Sequence, residues 1–192
     1  MIVVKFGGTS VGAVPQIDRA ARIVESMRES HPVVVVSAMA GVTDGLLQAG
    51  ESAVAGQVRQ RDDTLWEIRS KHDQAINELF KDRSTAVALQ DTEQQIWEEI
   101  QKIFTGVSLL REMSPRSRDL ISSFGERLIV PIFARYLNVL EMEARPVDAR
   151  ELIITSEDSE FVLVDFEETK KRCQKLAKTA KSGVVPVVTG FI

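Results

Sequence analysis

Lys5 is followed by Phe6, a glycine pair, Gly7-Gly8, and two hydroxyls, Thr9-Ser10, near the start of the 192-residue chain. Glycines let the backbone come close to a ligand, and successive free N–H groups in such a turn can cradle a phosphate, to which a lysine adds a point charge. The pattern is neither GxxxxGK[ST] nor GxGxxG. The same residues also read as a plain turn behind a strand-edge lysine. A second set, Ser37-Ala38-Met39-Ala40-Gly41-Val42-Thr43-Asp44, directly follows four valines. Small and hydroxyl residues just past a strand are where open α/β sheets bind ligands. A helix from about residue 43 would leave its first N–H groups free for an anion, whereas Thr43 as a mere N-cap is the rival reading. A third set is Ser122-Ser123-Phe124-Gly125-Glu126-Arg127. A glycine inside a helix costs about 1 kcal/mol relative to alanine, so Gly125 calls for a packing reason. Glu126 then faces a cleft or forms, with Arg127, a pair of solvated charges; the local pattern favours the solvated pair. Asp148, at a strand end, either holds loop N–H groups through its side chain or faces the site.

The elements that must position these groups alternate between strand and helix. Ile2–Phe6 reads as a short buried strand, Val33–Val36 as a central strand covered on both faces, and Val184–Val188 as a third strand. Parallel pairing with right-handed crossovers would put Lys5 and Ser37 at neighbouring carboxyl ends. Residues 13–30 read as a helix, with Ile17, Ala20, Ala21, Val24 and Met27 on one face, ended by His31-Pro32. Residues 57–112 are helical, in two stripes separated near Lys81-Asp82, with Trp66 and Trp97 as core or helix-contact residues and His72, between Lys71 and Asp73, exposed. Ser114-Pro115 opens a further helix, which Pro131 should kink. Leu140, Met142 and Ala144 alternate with charges as in a strand, residues 159–166 fit a loop or a short strand, and 167–182 form a helix closed by Gly183. Pro186 must sit where no ladder N–H is needed.

Composition narrows the function classes. The chain is 44% hydrophobic with a formal net charge of -4, which favours neither nucleic acid nor an anionic membrane as partner. A single cysteine, Cys173, excludes an internal disulfide framework and reads as a small buried hydrophobe. Two histidines far apart give no zinc cluster, and no metal ligands are assigned. No apolar run approaches the roughly 18 residues of a membrane span, and the start lacks the pattern of a signal peptide. A reducing cytoplasm is the expectation. The run VVPVVTGFI closes the sequence on apolar residues, as if cut from something longer.

The stretches KFGGTSV at 5–11, VVVVSAMAGVTDGLL at 33–47, SFGERL at 123–128, VDAR at 147–150 and VVPVVTGFI at 184–192 together resemble the amino-terminal part of aspartokinases, within the amino acid kinase family. The resemblance implies an α/β fold, a three-layer αβα sandwich around a largely parallel sheet, truncated before the nucleotide-binding half. Residues 1–192 would be the aspartate-binding portion, with a helical insertion at about 57–112 and with regulatory domains absent. IFTGVSLL at 103–110 leans toward the type fused to homoserine dehydrogenase. The implied reaction moves the γ-phosphoryl group of ATP, with Mg2+, to the β-carboxylate of L-aspartate, at the entry to lysine, threonine and methionine synthesis. The implied whole protein is homo-oligomeric.

By similarity, Lys5 contacts the transferred phosphate as the catalytic lysine, and Phe6, Gly7 and Gly8 close over the phosphates. Ser37, Thr43 and Glu126 contact aspartate, Glu126 near its ammonium, and Phe191 supplies an aromatic beside it. Thr9, Ser10 and Asp148 lend support. The family pattern continues past Ile192 into a Gly-Ser-Asp motif, a substrate-binding arginine and a catalytic-site aspartate, so residues 1–192 alone are expected to lack efficient turnover. The rival expectations are a non-catalytic aspartate-binding or regulatory half-domain and a related small-molecule carboxylate kinase.

Overall fold

The computed structural model describes residues 1–156 and 163–191. Three β-branched runs form strands β1 (Ile2–Phe6), β2 (Pro32–Val36) and β6 (Val185–Thr189), joined by β3 (Ala144–Val147). They make one parallel sheet of order β1-β2-β6-β3. Lys5 lies in register with Val35 and Phe6 with Val36, so the residues that follow β1 and β2 emerge side by side. The helices are α1 (Val14–Ser26), α2 (Val42–Val54), α3 (Val58–Leu79), α4 (Arg83–Leu110), α5 (Pro115–Val139) and α6 (Phe166–Lys181). A two-residue antiparallel ladder pairs β4 (Thr155–Ser156) with β5 (Leu163–Val164). The expected loop or strand at 159–166 thus resolves into β5 and the start of α6, with 159–162 outside the described residues.

Side-chain alternation builds the layers. Val34, Val36 and Val187 point into the large core shared with α1, α2 and α5. Val33 and Val188 point the other way, against Leu176 and Ala180 of α6. The αβα sandwich is therefore the one the sequence implies. β1 departs from its expected burial: Val3 lies in register with Val33 yet is 62% exposed. The physical reason is position. β1 is an edge strand, and α6 packs on β6 and β2.

Pro186 is accommodated as required. The Val185 amide donates to Glu143 on the β3 side (2.7 Å), so the next residue's nitrogen faces β2, where pairing begins only at Val34–Val187. α1 ends four residues before the expected limit. Pro32 bars His31 from the α region, and the chain tightens into a 3-10 turn over Arg28–Ser30 before His31 turns left-handed (φ 48°). Leu140–Glu143 do not join a strand. Leu140 caps α5 and Glu141 is left-handed (φ 56°), so β3 starts only at Ala144. Pro131 does not interrupt α5, which runs unbroken to Val139.

The helical stretch expected at 57–112 is a pair, α3 and α4, linked by Asp82, whose carboxylate accepts the Thr85 amide (2.9 Å) and caps α4. His72 is not exposed; it is fully buried. The 3.6-residue period places it on the stripe of Ile68, Ala75, Ile76 and Leu79, and the flanking charges point elsewhere. Its Nδ1 bonds the Ile68 carbonyl (2.8 Å) and burial holds its pKa down at about 4, so the ring is neutral. Trp97 is buried as expected, but Trp66 is 69% exposed. Cys173 is half-buried.

Candidate functional site

The carboxyl ends of β1, β2 and β6 converge. After Phe6 the chain makes a tight turn, Ser10 donating to the Gly7 carbonyl (2.8 Å). After β2, Ser37 donates its amide back to the Phe6 carbonyl (3.0 Å), and after β6, Gly190 donates to the Val36 carbonyl (3.2 Å). Three strand ends are thus stitched into one floor.

Two glycines let the surrounding backbone close over it. A Cβ on Gly8 would sit 2.7 Å from the Ala38 carbonyl, and one on Gly125 would sit 2.7 Å from the Ala38 side chain and 3.6 Å from Thr43 Oγ1. Gly125 therefore has the close-approach reason its cost demanded. It brings α5 against the Ser37–Thr43 loop and sets Glu126 beside it. Gly41 (φ 79°) caps α2, so Thr43 lies inside the first turn rather than at the cap.

Glu126 is not a solvated charge. It is 7% exposed and accepts the Phe191 amide in a short hydrogen bond. Burial pushes its carboxyl pKa up, while the amides of Phe191 and Gly190, the Lys5 ammonium and the Ala38 amide pull the other way. A buried carboxylate held by backbone donors, with a lysine acting on it from the neighbouring strand, can receive a ligand ammonium while the lysine faces an anion. Lys5 itself is exposed at the end of β1, and open space lies beside Gly7.

The structure brings together Lys5, the Gly7-Gly8 backbone, Ser37, Thr43, Glu126 and the Phe191 amide, while the Phe6 side chain turns into the core against Phe133 (ring centroids 5.9 Å). Thr9 and Ser10 are exposed on the turn. Asp148 stands one strand away, at the end of β3. Its Oδ1 accepts the Arg150 amide (3.0 Å), the Asx role, and its Oδ2 accepts the Arg150 side chain (2.6 Å). Burial alone would raise its pKa, but Arg150 and the Arg127 charge overcome that and hold it below the usual carboxylate range.

Sequence reasoning missed Arg127 as a structural link. Its guanidinium ion-pairs with Glu99 of α4, lies 3.8 Å from Asp148 and stacks on the Phe124 ring (4.8 Å). The turn after β3 is in turn tied to β6, Ala149 donating to Thr189 Oγ1 (2.9 Å). Among the described residues no group of three His, Cys, Asp or Glu could hold a metal. A cavity of about 940 Å3 borders the loop at Ala40–Val42, but it is lined by α2 and α3 and includes none of Lys5, Ser37, Thr43 or Glu126.

A profile of the amino acid kinase family matches residues 1–192. Aspartokinase 3, chloroplastic, of Arabidopsis thaliana is 38% identical over 196 residues, covering 99% of this chain and 34% of that protein. The aspartokinase of Schizosaccharomyces pombe is 31% identical over 201 residues, covering 99% and 38%. The crystal structure of E. coli aspartokinase III in complex with aspartate and ADP superposes with a TM-score of 0.85 at 25% identity, covering all of this chain and 41% of that one. The chain thus spans about a third of the length of the curated relatives it matches.

Proposed function

The chain belongs to the amino acid kinase family and is homologous to aspartokinases, and from that premise we propose that it forms the aspartate-binding side of an enzyme that phosphorylates the β-carboxylate of L-aspartate. The observation that carries this reading is Glu126, a buried carboxylate ringed by backbone amides at the joined ends of three parallel strands, with Lys5 acting on it from β1. Glu126 receives the substrate ammonium. The hydroxyls of Ser37 and Thr43 orient the rest of the amino acid, and the Phe191 ring covers it. Lys5 and the Gly7-Gly8 backbone grip the phosphate.

Phosphoryl transfer depends on positioning and on cancelling charge as it develops, more than on a covalent nucleophile. The attacking group, a carboxylate, is already ionised, so no strong general base is needed. ATP, when bound, supplies the γ-phosphoryl group. The residues of this chain suit its phosphate end, through Lys5 and the open face at Gly7. Mg2+ would accompany ATP and cancel charge on its phosphates, and we assign it no ligand in this chain.

The test is calorimetric titration of the 192-residue chain with L-aspartate. Glu126→Gln should weaken binding at least about tenfold, the weight of a charge-assisted bond, with an unchanged circular dichroism spectrum. Equal affinity in the two proteins removes Glu126 from the site. No binding by the unmutated chain removes the aspartate-binding reading for the isolated chain.

A further inference from the structure

We infer that Lys71, on α3, is a positioning residue that locks the loop between Ser37 and Thr43; this rests on the reading above that the loop binds substrate. The buried stripe of Ile68, His72, Ala75 and Ile76 fixes the rotation of α3. Lys71 emerges at the margin of that stripe, and its Nζ donates to the Ala40 carbonyl at 2.6 Å.

The first half of the loop is held by packing: Ala38 and Met39 are buried, and Gly8 and Gly125 close on Ala38. Its middle is not, since Ala40 and Gly41 are exposed before Val42 is buried again. Lys71 borders two cavities, about 940 Å3 on the α2 side and about 300 Å3 on the α1 side. Its ammonium therefore spans a gap that no packed side chain fills.

What it grips matters for the neighbouring peptide. Ala40 C=O and Gly41 N–H belong to one planar unit, so a bond to the carbonyl fixes the direction of the amide. Gly41 is left-handed, and a peptide before such a glycine can turn over at low cost because glycine accepts either sign of φ. Turning it alone would keep the bond from Val42 to Met39 (3.0 Å), since both turn types share it; losing the grip on the carbonyl also frees the whole turn to open, and opening breaks that bond and Gly45 to Gly41 (2.9 Å), which seat Thr43 in the first turn of α2. Lys71 opposes that opening. A distant helix thereby sets the geometry of the substrate loop without touching the substrate.

Amide hydrogen exchange and aspartate calorimetry on the 192-residue chain test this in Lys71→Met, which keeps the stem but loses the donor, and Lys71→Arg, which keeps a cationic donor. In Lys71→Met the Val42 and Gly45 amides should exchange about fivefold faster, the weight of one net hydrogen bond, and the aspartate dissociation constant should rise by a similar factor. Lys71→Arg should return both toward the unmutated values, which a purely structural loss would not do. Unchanged exchange at Val42 and Gly45 in Lys71→Met overturns the proposal, as does a Lys71→Arg chain as impaired as Lys71→Met. If the unmutated chain binds no aspartate, the substrate reading fails, and the exchange measurement still decides the role of Lys71.

Discussion

Glu126 and Arg127 show how far two adjacent side chains can diverge. A helix turns about 100° per residue, so Glu126 enters the strand-end floor while Arg127 reaches α4 and the turn after β3. Read as neighbours in sequence they look like a solvated pair; read on a helix lying over a sheet edge they belong to different neighbourhoods. Lys5 carries the prediction at this scale. In the whole enzyme, Lys5→Ala should lower kcat by roughly 100-fold or more, as when a transition-state donor is lost. The KM for aspartate should change far less, because the charge Lys5 meets develops during transfer. Steady-state kinetics with near-normal kcat would leave Lys5 as an ordinary strand-edge lysine.

The helix pair α3 and α4 carries two buried titratable groups away from the site, His72 and Glu93. Glu93 of α4 is buried, which pushes its carboxyl pKa up to about 8; the Asp73 charge adds to the rise and Arg69 opposes it. A carboxyl with a raised folded-state pKa contributes stability that is full below the unfolded value near 4.5 and is lost as pH rises through about 8. Glu93→Gln removes that dependence. The variant should gain urea resistance over the unmutated chain as pH is raised from about 5 to about 8.5; a gap between their midpoints that is constant with pH would contradict this. His72 has the opposite sign, costing stability as pH falls from 6.5 toward about 4.

These helices also mark what the sequence could and could not convey. The sheet was legible because Val33–Val36 and Val184–Val188 are short β-branched runs apolar on both faces, the pattern of a covered strand, and they lie within or beside β2 and β6. The Gly125 requirement was legible because a costly residue sat inside a strong helical period. His72 was misread because charge on either side outweighed a period that, followed through Ile68 and Ile76, places it inward. The bonds from Lys71 to Ala40 and from Arg127 to Glu99 join residues far apart in the chain, and no local period encodes which loop a given lysine will reach.

At the scale of the molecule, the sheet has two edges, β1 and β3, of different chemistry. β3 carries exposed Arg145 and Pro146, which discourage pairing at its edge, and among the described residues nothing pairs with the outer edge of β1. Along that edge Met1, Ile2 and Val3 are exposed. A row of unpaired amides and carbonyls flanked by apolar side chains is a template on which another extended chain can grow. The shelf life of the isolated chain in concentrated solution should then depend on the five residues of β1 as well as on folding stability. Light scattering should rise with protein concentration and time, and Val3→Lys, which puts a charge on the open face without touching the core, should delay it without moving the thermal midpoint by more than a degree or two.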